Sequence, residues 1–163
     1  MASQNAEGQK SRPPTIDDLV SVCRRLNEAG AKYILIGGFA INYYGFPRAT
    51  EDIDLLVDPS ADNILKIKGA LSFLPDNAIE EIAPGDVEKY AVVRVADEIV
   101  IDLLKKACEM TYKEAGVEYF KFKGVNIPIA DISTMIKTKQ GVRPRDKEDL
   151  SFLMSVLKEE GGN

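Results

Sequence analysis

Two aspartates, Asp52 and Asp54, stand in the run Asp52-Ile-Asp54-Leu-Leu-Val57. Side chains of an extended strand alternate between faces, so both carboxylates point one way while Ile53 and Leu55 point into a core. Two carboxylates at that distance repel unless a cation sits between them, and hard divalent cations accept oxygen ligands of this kind. The plain alternative is a solvated strand end. Asp102 interrupts the apolar run Ile99-Val-Ile-Asp102-Leu-Leu104. A buried carboxylate needs a partner. That partner is either a Lys or Arg, or a metal ion for which Asp102 is the third ligand. The acid stands where a strand pattern wants Val or Ile, which favours the ligand.

Three further groups lie along the chain. Gly37-Gly38 follow the apolar run Tyr33-Ile34-Leu35-Ile36. Glycine lets a backbone approach a phosphate, and a helix starting there attracts an anion; the plain alternative is a strand-to-helix turn. Neither Gly-Lys-Ser/Thr nor Gly-x-Gly-x-x-Gly is present. Arg48-x-Thr50 precedes the acidic pair. Arg48 suits a bidentate phosphate contact and Thr50 suits orienting an Asp or a phosphate; the alternative is pairing of Arg48 with Glu51. Lys137, Lys139, Arg143, Arg145 and Lys147 form a basic stretch, either a solvated helix face or the electropositive wall of a cleft. Asp146 and Asp149 lie on one side of that helix as partners for these cations. Tyr43 and Tyr44 suit base stacking or the core, and the core is favoured.

Composition narrows the chemistry. The chain has 163 residues, no histidine, 21 Lys plus Arg and 26 Asp plus Glu, for a net charge of −5. Without histidine there is no Ser-His-Asp or Cys-His nucleophile and no His-ligated zinc or haem. General-base work falls to carboxylates, lysine, tyrosine or metal-bound water. The mild acidity argues against nonspecific coating of nucleic acid. Cys23 and Cys108 lie far apart in apolar-patterned segments and read as buried thiols in a reducing compartment. No segment reaches the ~18 consecutive apolar residues of a membrane span, and the N-terminus lacks a signal-peptide core. These features predict a cytoplasmic protein.

The elements that must position these residues follow from periodicity. Residues 1–13 predict a disordered tail, and residues 14–160 one domain. Thr15 caps a helix that runs to Gly30. Strands follow at Tyr33–Ile36 and Ile53–Val57, with a short helix from Phe39 to Tyr44 between them. Pro59-Ser60 opens a helix through Leu74, and residues 75–89 are irregular. Tyr90–Val95 and Ile99–Leu104 pair around a turn at Ala96-Asp97-Glu98. A hairpin spans Tyr119–Ile129 around Gly124. Asp131 caps a helix through Lys139, and a last helix covers Arg145–Glu159 with Leu150, Leu153, Met154 and Leu157 on one face. This order predicts a single α/β domain with a mixed sheet flanked by helices.

Together, Gly37-Gly38, Arg48-x-Thr50-x-Asp52-Ile-Asp54-Leu-Leu-Val57 and Asp102 resemble the nucleotidyltransferase superfamily related to DNA polymerase β. The pattern is similar to its small bacterial and archaeal branch, which includes AbiEii-like toxins. Lys137/Lys139 with Arg143-Pro-Arg145-Asp146-Lys-Glu-Asp149-Leu150 resembles the branch's C-terminal Lys followed by Arg-Pro-Lys-Asp-x-x-Asp-Leu, with Arg145 where Lys is commoner. The resemblance implies transfer of a nucleoside monophosphate from an NTP to a hydroxyl of RNA, protein or a small molecule, with release of pyrophosphate. It implies Asp52, Asp54 and Asp102 as catalytic residues and ligands of Mg²⁺ or Mn²⁺. Gly37, Gly38, Arg48, Thr50 and one of Lys137 and Lys139 would face the nucleotide. The implied partners are an NTP, the acceptor, and a second copy of the chain or a cognate antitoxin, with no membrane. The alternative is a catalytically silent nucleotide- or partner-binding module, or a toxin–antitoxin component, on the same fold.

Overall fold

A computed structural model describes residues 10–161. Six strands form one mixed sheet in the order β3-β4-β2-β1-β8-β7. These are β1 (Tyr33–Ile36), β2 (Asp52–Val57), β3 (Val93–Ala96), β4 (Val100–Leu104), β7 (Val117–Phe122) and β8 (Val125–Ala130). A small separate hairpin pairs β5 (Lys106–Ala107) with β6 (Met110–Thr111). Among the described residues, six helices accompany the strands: α1 (Ile16–Ala29), α2 (Gly37–Tyr43), α3 (Ala61–Leu71), α4 (Asp86–Lys89), α5 (Ile132–Thr138) and α6 (Pro144–Gly161). The expected α/β domain with a mixed, helix-flanked sheet is what the chain forms.

The central strands are buried on both faces, as strands covered by helices must be. Ile34, Leu35, Ile53, Leu55, Ile101, Leu103, Ile127 and Ile129 have almost no exposed surface. Helix α1 brings Leu19, Val22, Cys23 and Leu26 to this core, and α3 brings Ile64, Ile67 and Leu71. Each such side chain contributes about 1.5–3 kcal/mol on burial. Thr15 and Asp18 close α1 with a reciprocal capping box, as the sequence predicts for Thr15.

Several boundaries differ from the sequence expectation. Residues 1–9 of the expected tail lie outside the described residues. Ser11 donates to the Asp97 carbonyl, and Arg12 pairs with Asp18 and Glu98. Helix α2 begins at Gly37 itself, and α3 stops at Leu71. The stretch 75–89 holds a 3-10 turn, Ala78–Glu81, and the short α4. Cys108 is exposed in the turn between β5 and β6, a hairpin too short for an apolar pattern to announce. Cys23 is buried as expected, and burial pushes its thiol up to about 12. The inner face of α6 is built from Asp146, Asp149 and Leu153, while Met154 and Leu157 are exposed.

Candidate active site

Strand register creates the acidic cluster. Strand β2 runs parallel to β4 with Asp54 beside Asp102, and β4 runs antiparallel to β3 with Asp102 beside Arg94. Strand β1 places Ile36 on the other side of Asp54. Ile36, Asp54, Asp102 and Arg94 thus form one lateral row across four strands. Asp52, two residues before Asp54, joins the same face. One carboxylate oxygen from each of Asp52, Asp54 and Asp102 lies within 4.8 Å of the others. Like charges side by side on one face are destabilising. Burial, with the charges of Asp52 and Asp102, pushes Asp54 up to about 7. Asp52 is also raised, by burial and by Asp102, with Arg94 opposing.

Asp102 is 5% exposed and has the arginine partner that one of its two expectations named. It belongs to the acidic triad, and it also carries a salt bridge. Arg94 Nε and Nη2 each donate to one Asp102 oxygen at 2.9 Å. Arg94 Nη2 reaches Asp52 Oδ2 at 3.3 Å.

The two glycines earn their place by what fills the space beside them. A Cβ on Gly37, whose φ is +75°, would sit 2.1 Å from Asp54 Oδ2. A Cβ on Gly38 would sit 2.4 Å from the Thr50 methyl. Gly37 and Gly38 let the turn from β1 into α2 press against Asp54 and Thr50.

A second charged centre forms where α5 and α6 meet the loop before β2. Asp149 is fully buried. Its Oδ2 lies 3.0 Å from Lys139 Nζ and 3.3 Å from Arg48 Nη2. Arg48 is thus paired with Asp149, not with Glu51. These close ion pairs lack hydrogen-bond alignment: Asp149 Oδ1, Oδ2 and Arg48 Nε are buried with no hydrogen-bond partner among the described residues. At the rim, Arg143 forks onto Asp146 with both contacts at 2.9 Å.

Both centres open onto one cavity of about 350 Å³, within the roughly 300–1,000 Å³ of small-molecule sites. Its walls include Gly37, Gly38, Arg48, Thr50, Asp52, Asp54, Arg94, Asp102, Lys139, Arg143 and Arg145. Of the site residues expected from sequence, Lys137 alone stands elsewhere. It is exposed and lines a different cavity with Cys108 and Gln140. Lys137 lies in the last turn of the short α5 and Lys139 caps it, so the two point apart and Lys139 turns toward Asp149. Within the basic stretch, Lys139, Arg143 and Arg145 face the cavity and Lys147 does not. Tyr43 stacks on Phe120 at 4.6 Å, and the Tyr44 hydroxyl donates to the Ala130 carbonyl at 2.7 Å. Tyr44 packs half-buried against the core as favoured, whereas Tyr43 is 41% exposed and lies outside it. A larger cavity of about 600 Å³ lies past the far end of β2, around Asp58, Lys105 and Tyr112.

Sequence reasoning missed Arg94 because of one register step. A turn at 96–98 sets Arg94 opposite Val100. The actual turn occupies 97–99, which sets Arg94 opposite Asp102. Buried Asp97 fixes that turn by accepting from the backbone N–H groups of Asp76, Ala78 and Glu98.

The fold and site define a nucleotidyltransferase-like domain. The structure is similar to that of an antigenic nucleotidyltransferase-like protein from Paracoccidioides brasiliensis, with a TM-score of 0.52 and 16% identity. The match covers 85% of this chain and 74% of that one. The chain belongs to the nucleotidyl transferase AbiEii toxin family of type IV toxin–antitoxin systems, whose family model matches residues 22–155. No curated protein matches by sequence.

Proposed function

We propose that this protein transfers a nucleoside monophosphate from an NTP to a hydroxyl acceptor in a metal-dependent reaction, as the enzyme of a toxin–antitoxin pair. The acidic triad converging on the cavity carries this reading. The triad fits a divalent cation. Its donors are all carboxylate oxygens, and one from each acid lies within 4.8 Å of the others. All-oxygen ligation suits Mg²⁺ or Mn²⁺. When bound, the cation would lower the pKa of an acceptor hydroxyl and neutralise triphosphate charge.

The chain's own residues do the rest. Asp52, Asp54 and Asp102 hold the reacting end of the cavity negative, and one of these carboxylates takes the acceptor's single proton. The acceptor oxygen bonds to the α-phosphorus, the α–β phosphoanhydride bond breaks, and pyrophosphate leaves. Arg48 and Lys139 set positive charge in the wall across from the acids, where it stabilises the leaving triphosphate oxygens. Arg48 Nη2 is held toward this wall by Asp149. Thr50 beside Gly38 narrows the same wall. The implied partners are an NTP, an acceptor and a cognate antitoxin, and the implied location is the cytoplasm, where NTPs are available.

The test is labelling of cell extract with α-³²P NTPs, beside thermal-shift titration of each NTP with Mg²⁺ or Mn²⁺. Labelling that depends on the cation and falls at least about a hundredfold in Asp54→Asn supports the reading. Nucleotide binding with no label in any acceptor pool would favour a silent binding module. Absence of any stabilisation by cation or nucleotide sinks the assignment.

A further inference from the structure

Arg94 places its guanidinium on carboxylates that a divalent cation needs. Its Nε and Nη2 engage both oxygens of Asp102, and Nη2 also reaches Asp52. Such a fork matches a carboxylate's shape and charge. The Arg94 side chain is 59% exposed, whereas that of Asp102 is 7% exposed. The arginine is therefore free to leave and the aspartate is not. A neighbouring cavity of about 290 Å³ provides somewhere to go, lined by Ser11, Pro13, Glu51 and Arg94 itself. Glu51 offers a new counter-charge there, while Arg12 on the same wall is already paired with Asp18 and Glu98.

We propose that Arg94 is a cation latch. In the metal-free protein it bridges Asp52 and Asp102 in place of a divalent cation, and it swings toward Glu51 when the cation binds. This rests on the reading that the triad binds such a cation. Arg94 forms its hydrogen bonds and salt bridges with Asp52 and Asp102 and none with Asp54, so one acid of the triad is left unbridged while the latch is closed. The closed latch offsets like-charge repulsion between strands β2 and β4 until the cation arrives.

The experiment measures Mn²⁺ affinity by calorimetry, without nucleotide, for the full chain and for Arg94→Gln and Arg94→Lys. Both variants should bind Mn²⁺ about three- to tenfold tighter than the parent, because a displaced charged hydrogen-bond fork no longer competes. The lysine variant separates geometry from charge: it keeps the cation and loses the fork. Tighter binding by Arg94→Gln alone assigns the effect to net charge and overturns the latch. Equal or weaker binding by both variants also overturns it. In the parent protein, the Arg94 Nε–H resonance should shift on saturation with diamagnetic Mg²⁺; an unmoved resonance overturns the proposal without relying on any variant. If the parent binds neither ion, the metal-dependent reading of the site falls as well. Parent binding with unchanged variants removes only the latch.

Discussion

The cavity holds two ionic centres of opposite design. At one, three carboxylates crowd together and one exposed arginine bridges two of them, Asp52 and Asp102. At the other, two largely buried cations share one fully buried carboxylate. The first centre carries excess negative charge on partly accessible groups, so it is suited to exchanging a cation with solvent. At the second, the shared carboxylate is sealed from solvent while Arg48 and Lys139 line the cavity beside it. Removing one partner of such a buried pair strands the others without water. In the proposed reaction, the contrast divides the work between the acids of the sheet and the cations held by Asp149.

Breaking the sealed centre should cost the most stability. Asp149→Ala leaves Arg48 and Lys139 uncompensated and should lower unfolding free energy by about 3–5 kcal/mol, measured by urea denaturation. A loss under about 1 kcal/mol would show that the centre is hydrated and not sealed. Gly37→Ala tests the join between β1, α2 and the acids. The substitution forces a side chain into a left-handed conformation and against Asp54 Oδ2. It should cost about 1–3 kcal/mol in stability and weaken Mn²⁺ binding by moving Asp54.

The exchangeable centre should betray itself through pH. In the presence of a chelator, folded Asp54 holds its proton up to about 7, against 3.8 for the ordinary group. Between those values the folded state binds more protons than the unfolded state. Stability from this group is therefore lost as pH rises from about 4 to about 7. Thermal unfolding across that range should show the decline, and Asp54→Asn should flatten it. A rising stability curve attributable to Asp54 would reverse the assignment. The smallest effect separates the two lysines. Lys137→Gln should change stability by no more than about 0.5 kcal/mol, whereas Lys139→Gln should cost about 1–3 kcal/mol. Equal effects would erase the distinction that the two cavities draw.

Much of the acidic centre was legible because its signals are local. Period-two alternation alone puts Asp52 and Asp54 on one face, and an acid inside an apolar run marks Asp102. Glycines after a strand mark the turn, although the structure shows Asp54 and Thr50 in the space beside them. The basic stretch was visible as composition, but composition did not say which lysine faces the acids. That depends on how α5 ends and where α6 begins, which packing decides. Cys108 misled for a related reason: a two-residue strand leaves no periodicity to read.

The sequence by itself determined the α/β order, the acid pair, the third acid and the exclusion of imidazole chemistry. Each follows from residue type and short-range spacing, which local sterics and burial translate into structure. Only the tertiary structure decided that Asp54, Asp102 and Arg94 share one row, and that Asp149 joins Arg48 to Lys139. The first depends on strand register, where one residue of slip changes every partner. The second joins groups far apart in the chain, brought together by a core that no short window contains.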